Sequence, residues 1–208
     1  MMIKVCGMTK PEDVRLCAQA GVDLLGFIFH PASPRFVTPD FPASLEPEAL
    51  GQARKVGVFV KETVVEVRHI MDEAQLDYVQ LHSGQDPEFC RAVGSARVIK
   101  VFWPERYASL DELAEDMARF ADCAMFLLDA GTSGGGHGRS LDFAALTELD
   151  SPRPWLLAGG LGPKNVRAAV EACASANLAG VDLNSGVESA PGLKDIEKVR
   201  TAIAACRR

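Results

Sequence analysis

Short apolar runs alternate with amphipathic stretches along the whole chain. The runs are nearly continuous in hydrophobic residues instead of alternating with polar ones, which is typical of parallel strands that are covered on both faces. Between the runs, apolar residues recur at helical spacing, which indicates helices that bury one side. The eight predicted strands comprise residues 3–6, 24–29, 56–60, 78–81, 97–102, 125–128, 155–158 and 180–183.

This alternation of eight strands with helices predicts an α/β fold, a single (βα)8 TIM barrel. A doubly wound open sheet is the competing fold, but it usually has fewer strands and carries its phosphate fingerprint early in the chain. With 208 residues, the chain lies near the short end of the roughly 200 to 400 residues of such barrels. We therefore expect residues 1–208 to form one (βα)8-barrel catalytic domain.

Local signals predict where several of the helices begin. In three places a serine or threonine stands three residues before a glutamate, which is the spacing of a capping box. These pairs are Thr9 and Glu12, Thr63 and Glu66, and Ser109 and Glu112. A further helix is expected to open at Gly162 and Pro163, because proline suits the first helical position.

Two glycine-containing junctions follow predicted strands seven and eight. The first carries Gly159 and Gly160, and the second carries Ser185 and Gly186. Glycines let backbone N–H groups approach a ligand, and a helix N-terminus adds partial positive charge. Since (βα)8 barrels often bind phosphate after their last two strands, we predict a phosphate site here.

Polar residues with chemical potential stand at the ends of other predicted strands. In such a barrel the carboxyl ends of the strands form the active-site face. The candidates are Cys6, Arg35, His82, Asp129 and Asp182. Taken alone, each has an ordinary interpretation as well, since strand cysteines are commonly buried and loop arginines are commonly solvated. Together they offer a base, an acid and a cationic anchor beside an anion site.

Composition narrows the partners and the location. The formal charge of −6 and a pI near 5.3 give no support to binding of nucleic acid or of an anionic membrane. No apolar run approaches the roughly 20 residues of a membrane span, and the N-terminus lacks a signal peptide. We therefore expect a cytoplasmic protein whose partner is a small molecule.

The six cysteines are widely scattered, and none belongs to a C-x-x-C pair. This spacing does not support a zinc site or dithiol redox chemistry, so no metal is expected. In a cytosolic chain most of these cysteines should be small buried hydrophobes. Cys6 is the exception because of its place at a strand end.

From end to end, the chain resembles the phosphoribosylanthranilate isomerase family of tryptophan biosynthesis. The matching segments, in order, are KVCGMT at 4–9, SPR at 33–35, QLH at 80–82, LLD at 127–129, LAGGL at 157–161 with Asn165 and Val166, and Asp182 with SGVE at 185–188. Each segment alone is weak evidence. Their order and their placement at successive strand ends are specific.

The resemblance implies an Amadori rearrangement that converts N-(5-phosphoribosyl)anthranilate to 1-(2-carboxyphenylamino)-1-deoxyribulose 5-phosphate. It implies that Cys6 is the base, that Asp129 is the acid, and that Arg35 meets the anthranilate carboxylate. The phosphate would lie on amides around Gly160 and the Ser185–Gly186 dipeptide. The substrate forms the Schiff base itself, so no cofactor is implied, and relatives with this fold occur as monomers and homodimers.

The assigned roles place demands on the surroundings of the two reacting groups. A cysteine thiol has an ordinary pKa near 8.5, so the surroundings of Cys6 must support some thiolate. The ordinary pKa of an aspartate is near 3.9, and an acid acting at neutral pH needs a higher value at Asp129. His82 is expected to line the site, and Asp182 is expected to orient other groups there.

Three segments depart from the usual pattern of the family. Residues 135–139 read GGHGR, so His137 and Arg139 replace the usual threonine and lysine, and the glycines of residues 131–138 suit a lid. Ser83 interrupts the usual Gln-Leu-His-Gly, and Asn184 stands where serine is usual. None of these departures falls on the proposed acid or base.

Two other functions remain open at this level. The related histidine-pathway isomerase performs the same chemistry on a substrate with two phosphates, but it resembles a two-fold repeat with an aspartate at the end of strand one. A non-catalytic phosphosugar-binding barrel is the second alternative. It leaves the presence of Cys6, Asp129 and Arg35 together unexplained.

Overall fold

The computed structural model describes residues 1–130, 143–174 and 177–207. Eight parallel strands pair in chain order, and the last pairs with the first, so the sheet closes into a barrel. The strands are β1 (Met2–Val5), β2 (Leu24–Ile28), β3 (Arg54–Phe59), β4 (Tyr78–Leu81), β5 (Val98–Phe102), β6 (Met125–Asp129), β7 (Trp155–Ala158) and β8 (Leu178–Leu183). Closure confirms the predicted (βα)8 barrel and excludes the open sheet.

Helices follow the strands and cover the outside of the barrel. They are α1 (Pro11–Gln19), α2 (Asp40–Ala43), α3 (Pro47–Leu50), α4 (Val64–Glu73), α5 (Pro87–Val93), α6 (Leu110–Ala118), α7 (Val166–Ala172) and α8 (Ile196–Cys206). In the part of the chain that is described, none of these helices has the length and apolar character needed to cross a membrane.

The core has two layers because successive strand residues point to opposite faces. Outward residues such as Ile3, Phe27 and Trp155 pack against the helices. Inward residues form a separate apolar cluster inside the barrel. Its buried members are Leu24, Val56, Ile99, Val101, Met125, Leu127, Leu156 and Ala158.

The barrel interior also contains buried polar residues. Lys4, Gln80 and Asp182 are all buried, and each lies beyond an earlier interior position on its own strand. The interior therefore changes from apolar to polar toward the carboxyl ends of the strands. This change is what places chemistry at that end of the barrel.

The predicted capping boxes have different outcomes. Thr63 and Glu66 form the complete box at the start of α4, as predicted. At α6, the Ser109 hydroxyl accepts from the backbone of Glu112, whose carboxylate accepts from Ala108 instead. The prediction at Thr9 is wrong.

Helix α1 begins after Lys10, which makes no side-chain cap. The Thr9 hydroxyl instead donates to the carbonyl of Gly192, which is 183 residues away in the chain. A tertiary contact therefore takes the hydroxyl that the local spacing had assigned to the helix.

The predicted helix start at Gly162 and Pro163 is also wrong, because α7 begins only at Val166. The Asn165 side chain explains the delay. Its Oδ1 accepts from the amide of Gly162 at 2.8 Å, and its Nδ2 donates to the carbonyl of Gly160 at 3.1 Å. Such local side-chain bonds stabilise a turn in place of a first helical turn.

A short hairpin that the sequence patterns did not predict lies between β8 and α8. It consists of β9 (Glu188–Ala190) and β10 (Leu193–Lys194), which pair in antiparallel orientation. Helix α8 then begins after Asp195, whose carboxylate accepts from the amides of Glu197 and Lys198. The hairpin brings Glu188 and Lys194 back toward the barrel mouth.

Candidate active site

A cavity of about 300 Å³ opens at the carboxyl ends of the strands. Seven of the nine predicted site residues line it, namely Cys6, His82, Asp129, Gly159, Gly160, Asp182 and Ser185. Arg35 and Gly186 lie next to this set without lining the cavity itself. Asn184 also lines the cavity, whereas residues 131–138 and the His137 and Arg139 substitutions lie outside the described residues.

Cys6 follows β1 directly and is almost fully buried. Its backbone amide donates to the carbonyl of Leu183 at 2.8 Å, which ties it to the end of β8. The neighbouring strand has Gly26 at this height, and a Cβ there would lie 2.8 Å from the Cys6 sulfur. Gly26 therefore provides the space that the thiol occupies.

A buried ion pair lies beside Cys6 in the barrel interior. Lys4 and Asp182 are direct partners in the pairing of β1 with β8. The Lys4 ammonium donates to Asp182 Oδ1 at 2.9 Å, and the two side chains are 0% and 9% exposed. Sequence reasoning assigned no role to Lys4, although a lysine inside an apolar strand signals a buried partner because an unpaired buried charge is very costly.

Some features around Cys6 raise the pKa of its thiol and others lower it. Burial raises the pKa of the Cys6 thiol, and the carboxylate of Asp182 raises it further. The ammonium groups of Lys4 and Lys194 lower it, but the net direction is upward. The cations needed to support a thiolate are present, yet in the unliganded protein the neutral thiol is the stable form.

Asp129 ends β6, and His82 follows β4 on the same cavity. The two side chains approach each other, with His82 Nε2 3.9 Å from Asp129 Oδ2. Burial lowers the pKa of His82, and this outweighs the opposing effect of Asp129. The imidazole is therefore neutral at pH 7, able both to donate and to accept a hydrogen bond.

The side chain of Gln80, on β4, contacts His82 in the wall of the cavity. Its Nε2 lies 3.3 Å from His82 Nδ1, and the ring of Trp103 meets the imidazole edge-on, with centroids 5.2 Å apart. The Gln80 Oε1 atom is buried and has no hydrogen-bond partner among the described residues.

The two glycine junctions come together at the opposite wall. Gly159 and Gly160 both have positive φ values, of 109° and 63°, which favour glycine. A Cβ on Gly186 would lie 2.1 Å from the carbonyl oxygen of Leu161, so the two junctions could not pack as they do with a larger residue. In the described structure, the backbone amides of Gly160, Ser185 and Gly186 donate to no protein acceptor.

Arg35 is not a solvated loop residue. Its Nε donates to Glu188 Oε1 at 2.9 Å, and its Nη2 donates to Glu188 Oε2 at 2.7 Å. Its side chain also crosses Gly7, where a Cβ would lie 2.6 Å from Arg35 Cδ. The family resemblance implies that Arg35 meets the anthranilate carboxylate of the substrate; within the protein its carboxylate partner is Glu188.

Glu188 connects several loops at the rim of the site. Besides Arg35, it accepts from the Lys194 ammonium at 2.7 Å and from the amide of Gly192 at 3.1 Å. Burial alone would raise the pKa of Glu188, but the hydrogen bonds from Arg35 and Lys194 hold it below its ordinary value. In the sequence, Glu188 could be identified only as part of the SGVE segment that resembles the family, because its partners are remote in the chain.

The fold and this cavity define the class of the protein, a (βα)8 barrel with ionisable groups at the carboxyl ends of its strands. Within the described ranges, no group of three or more histidine, cysteine or acidic side chains is arranged to hold a metal ion. The cavity is lined by a thiol, two carboxylates, a neutral imidazole and backbone amides that have no protein acceptor in the described structure.

Comparison with known proteins identifies the family. The family model of N-(5'-phosphoribosyl)anthranilate (PRA) isomerase matches residues 3–205. The N-(5'-phosphoribosyl)anthranilate isomerase of Maridesulfovibrio salexigens is 51% identical over 206 residues, which cover 99% of this chain and 98% of that protein. The enzyme of Desulfovibrio desulfuricans is also 51% identical and covers 98% of this chain and 94% of its own length.

Solved structures agree with this match. The phosphoribosyl anthranilate isomerase of Thermotoga maritima superposes with a TM-score of 0.86 at 30% identity, covering 100% of this chain and 98% of its own. The chain therefore belongs to the N-(5'-phosphoribosyl)anthranilate isomerase family, as the resemblance of its motifs had indicated.

The Glu188 network predicts a pH-dependent contribution to stability. Glu188→Ala leaves Arg35 and Lys194 without their shared carboxylate, which should lower the free energy of unfolding by about 3–5 kcal/mol at pH 7. Because the folded-state pKa of Glu188 is lowered, this contribution is complete above the unfolded value and is lost as pH falls through the folded value. Urea denaturation at pH 7 and at stepwise lower pH measures the difference.

A matched control is Glu197→Ala, which removes an exposed pair with Arg200. It should change the free energy of unfolding by only about 0–1 kcal/mol. Two outcomes would contradict this role of Glu188. One is an equal loss in the free energy of unfolding for both substitutions. The other is a loss for Glu188→Ala that is the same at pH 7 and at a pH low enough to protonate the Glu188 carboxylate.

Proposed function

We propose that this chain catalyses the Amadori rearrangement of N-(5'-phosphoribosyl)anthranilate to 1-(2-carboxyphenylamino)-1-deoxyribulose 5-phosphate, with Cys6 as base and Asp129 as acid. The observation that carries the proposal is that Cys6, which directly follows β1, and Asp129, which ends β6, line one cavity beside the two glycine junctions. A solved relative that is 28% identical, with a TM-score of 0.83, holds reduced 1-(o-carboxyphenylamino)-1-deoxyribulose 5-phosphate. That ligand is a close analogue of the product.

The chemistry assigns one proton transfer to each residue. The Asp129 carboxyl protonates the furanose ring oxygen as the bond from that oxygen to C1′ breaks, which leaves a protonated Schiff base. The Cys6 thiolate then removes the proton from C2′ and becomes the thiol. The resulting enolamine becomes the ketone as C1′ gains a proton and the C2′ hydroxyl loses one.

The phosphate is assigned to the amides of Gly160, Ser185 and Gly186. These amides are without protein acceptors in the described structure, and Gly160 and Ser185 line the cavity. Backbone N–H groups that converge in this way form an anion site without any cationic side chain. The assignment depends on the amides of the two junctions and not on a helix N-terminus, since α7 begins only at Val166.

The anthranilate carboxylate is assigned to Arg35. Glu188 uses the Nε and Nη2 edge of the guanidinium, and Nη1 makes no hydrogen bond in the described structure. A guanidinium has a second edge, formed by Nη1 and the remaining N–H of Nη2, that can receive another carboxylate in bidentate geometry. Glu188 would then orient Arg35 while the substrate binds its free edge.

His82 and Asp182 complete the binding wall. The neutral imidazole of His82 suits contact with sugar hydroxyls, because it can donate and accept without adding charge. Asp182 holds Lys4 and lines the cavity, so it is assigned to orientation and substrate contact rather than to proton transfer.

The remaining parts of the proposal concern domain organisation, location, cofactors and assembly. Residues 1–208 act as one catalytic domain, located in the cytoplasm and needing no metal or organic cofactor. A relative from Thermotoga maritima is described as dimeric, and we assign this chain to a monomer or a homodimer.

Nucleic acid is not a partner, and neither the histidine-pathway activity nor a non-catalytic role is favoured, because the relatives that match at 51% identity are PRA isomerases.

Removal of either proton-transfer group should slow turnover. Positioned general acid–base catalysis contributes about 10² to 10⁴-fold, so Cys6→Ser and Asp129→Asn should each lower kcat by that order. In the wild type, kcat/KM should rise with pH through neutrality when proton abstraction limits the rate, because burial raises the pKa of the Cys6 thiol. Cys6→Ser should lack this rise, and stopped assays across pH measure both effects.

The control for this experiment is phosphate binding, which both variants should retain. A Cys6→Ser enzyme that turns over at near wild-type speed would make Cys6 a packed interior residue, and another group would have to be the base.

The phosphate assignment is tested at Gly160. Gly160→Val should raise KM strongly, because a β-branched residue resists the φ of 63° and obstructs the anion. Inorganic phosphate should compete with substrate in the wild type and lose this effect in the variant. Gly51→Val is the matched control, since Gly51 has a similar φ of 56°, is exposed, has open space around it and does not line the cavity. An enzyme that phosphate does not inhibit would contradict the assignment.

The Arg35 assignment is tested by Arg35→Lys, which keeps the charge but loses the planar fork. The kcat/KM for phosphoribosylanthranilate should fall about tenfold or more, the equivalent of one charge-assisted hydrogen bond. The matched comparison is the phosphoribosyl adduct of aniline, which lacks the carboxylate and should be affected much less by the substitution. An equal penalty on both substrates would assign Arg35 to the structural pair with Glu188 alone.

A further inference from the structure

The barrel interior holds an ionisable group that the proposed mechanism does not use. Lys4 is completely buried and points inward from the centre of β1. It stands two residues before Cys6, so both side chains face the same side of the strand. A lysine at this position costs considerable desolvation energy, which calls for a reason beyond packing.

The bonding of Lys4 leaves part of its ammonium unused. An ammonium group has three N–H donors, and Asp182 Oδ1 accepts one of them at 2.9 Å. Lys4 and Cys6 stand two positions apart on one face of the strand, and the positive charge of Lys4 lowers the pKa of the Cys6 thiol. Lys4 therefore lies between two acidic groups, one of which is the proposed base.

The charged groups around Cys6 act on its thiolate in opposite directions. Five charged groups act on or around this thiol, namely Lys4 on β1, Arg35 after β2, Asp182 on β8, Glu188 on β9 and Lys194 on β10. Three are cations and two are carboxylates, so the set carries one net positive charge. That positive charge opposes part of the effect of burial, although the net direction of the pKa of the Cys6 thiol is still upward.

The three cations are not equivalent. Arg35 and Lys194 share the single carboxylate of Glu188 through bonds of 2.7 to 2.9 Å at the rim. Lys4 alone lies inside the barrel on the same strand face as Cys6. Across the cavity, Asp129 adds negative charge near Asp182, and His82 contributes no charge while its imidazole is neutral.

We propose that Lys4 is a positioning residue for the reaction, whose ammonium, held by Asp182, stabilises the thiolate of Cys6. The proton leaves the Cys6 sulfur for solvent in the open cavity, and the negative charge that remains is paired with Lys4. Asp182 has the opposite influence, because its own negative charge competes for the same ammonium. This inference rests on the proposed role of Cys6 as the base.

The opposite influences of Lys4 and Asp182 make a decisive experiment possible. Alkylation of Cys6 by iodoacetamide reports the thiolate, requires no turnover, and can be followed by mass spectrometry of the Cys6 peptide across pH. A one-unit change in the pKa of the thiol changes the thiolate fraction about tenfold at a pH below that pKa. At pH 7, Cys6 in the Lys4→Met variant should therefore be alkylated at least about tenfold more slowly than Cys6 in the wild type. In the Asp182→Asn variant, Cys6 should be alkylated faster than in the wild type.

Two further variants separate charge from packing. Lys4→Arg keeps the cation and should retain most of the wild-type alkylation rate. Lys55→Met removes another buried lysine, which contacts the carbonyls of Pro42 and Ala74 and not Cys6, and should leave the rate unchanged.

A merely structural ion pair would give a different result. Lys4→Met and Asp182→Asn would then both raise the rate of Cys6 alkylation or both lower it, and that outcome overturns the proposal. A Lys4→Met rate equal to that of the wild type overturns it as well. If Lys4→Met does not fold, Asp182→Asn still decides, because an unchanged or slower rate contradicts the proposal.

Failure of this inference can be distinguished from failure of the proposed function. Normal alkylation of Lys4→Met overturns the role of Lys4 even where Cys6→Ser has lost isomerase activity. A fully active Cys6→Ser enzyme overturns the role of Cys6 as base whatever the alkylation rates are.

Discussion

The pairing of β1 with β8 is the constraint on which the rest of the structure depends. It closes the sheet, and its register places Lys4 opposite Asp182 and ties the amide of Cys6 to Leu183. The first and last strands of a parallel barrel meet only when every intervening strand is in place. The site between them is therefore a property of the closed barrel and of no single segment.

Close packing then fixes the loops that surround this site. Gly26 leaves room for the Cys6 thiol, and the carbonyl of Leu161 occupies the space beside Gly186. Glu188 joins Arg35 on one side to Lys194 on the other, so the loops after β2 and β8 are held together by charge. The result is a rim of close contacts and ion pairs around groups that must be positioned accurately for proton transfer.

Much of this arrangement could be predicted from the sequence. The strands are local apolar runs, and the carboxyl ends of parallel strands meet at one face, so the pattern alone brings Cys6, His82 and Asp129 to one cavity. The glycine junctions after β7 and β8 could be predicted for the same reason, since glycines at strand ends are visible in the sequence.

The parts that could not be predicted depend on contacts between remote residues. Lys4 and Asp182 are separated by 178 positions in the chain, and Arg35 and Glu188 by 153. No local periodicity encodes such partners. The wrong helix starts have a related cause, because the Thr9 hydroxyl bonds to Gly192 and the Asn165 side chain stabilises a turn. Short-range signals fail where a side chain finds another partner.

The most direct test of the central claim is a crystal structure of this protein with the reduced product analogue bound. We expect the phosphate on the amides of Gly160 and Gly186, the C2′ carbon facing the sulfur of Cys6, and the hydroxyl derived from the ring oxygen facing Asp129. The carboxylate should lie on the free edge of Arg35. A ligand whose phosphate binds elsewhere, or whose sugar contacts neither Cys6 nor Asp129, would contradict the account.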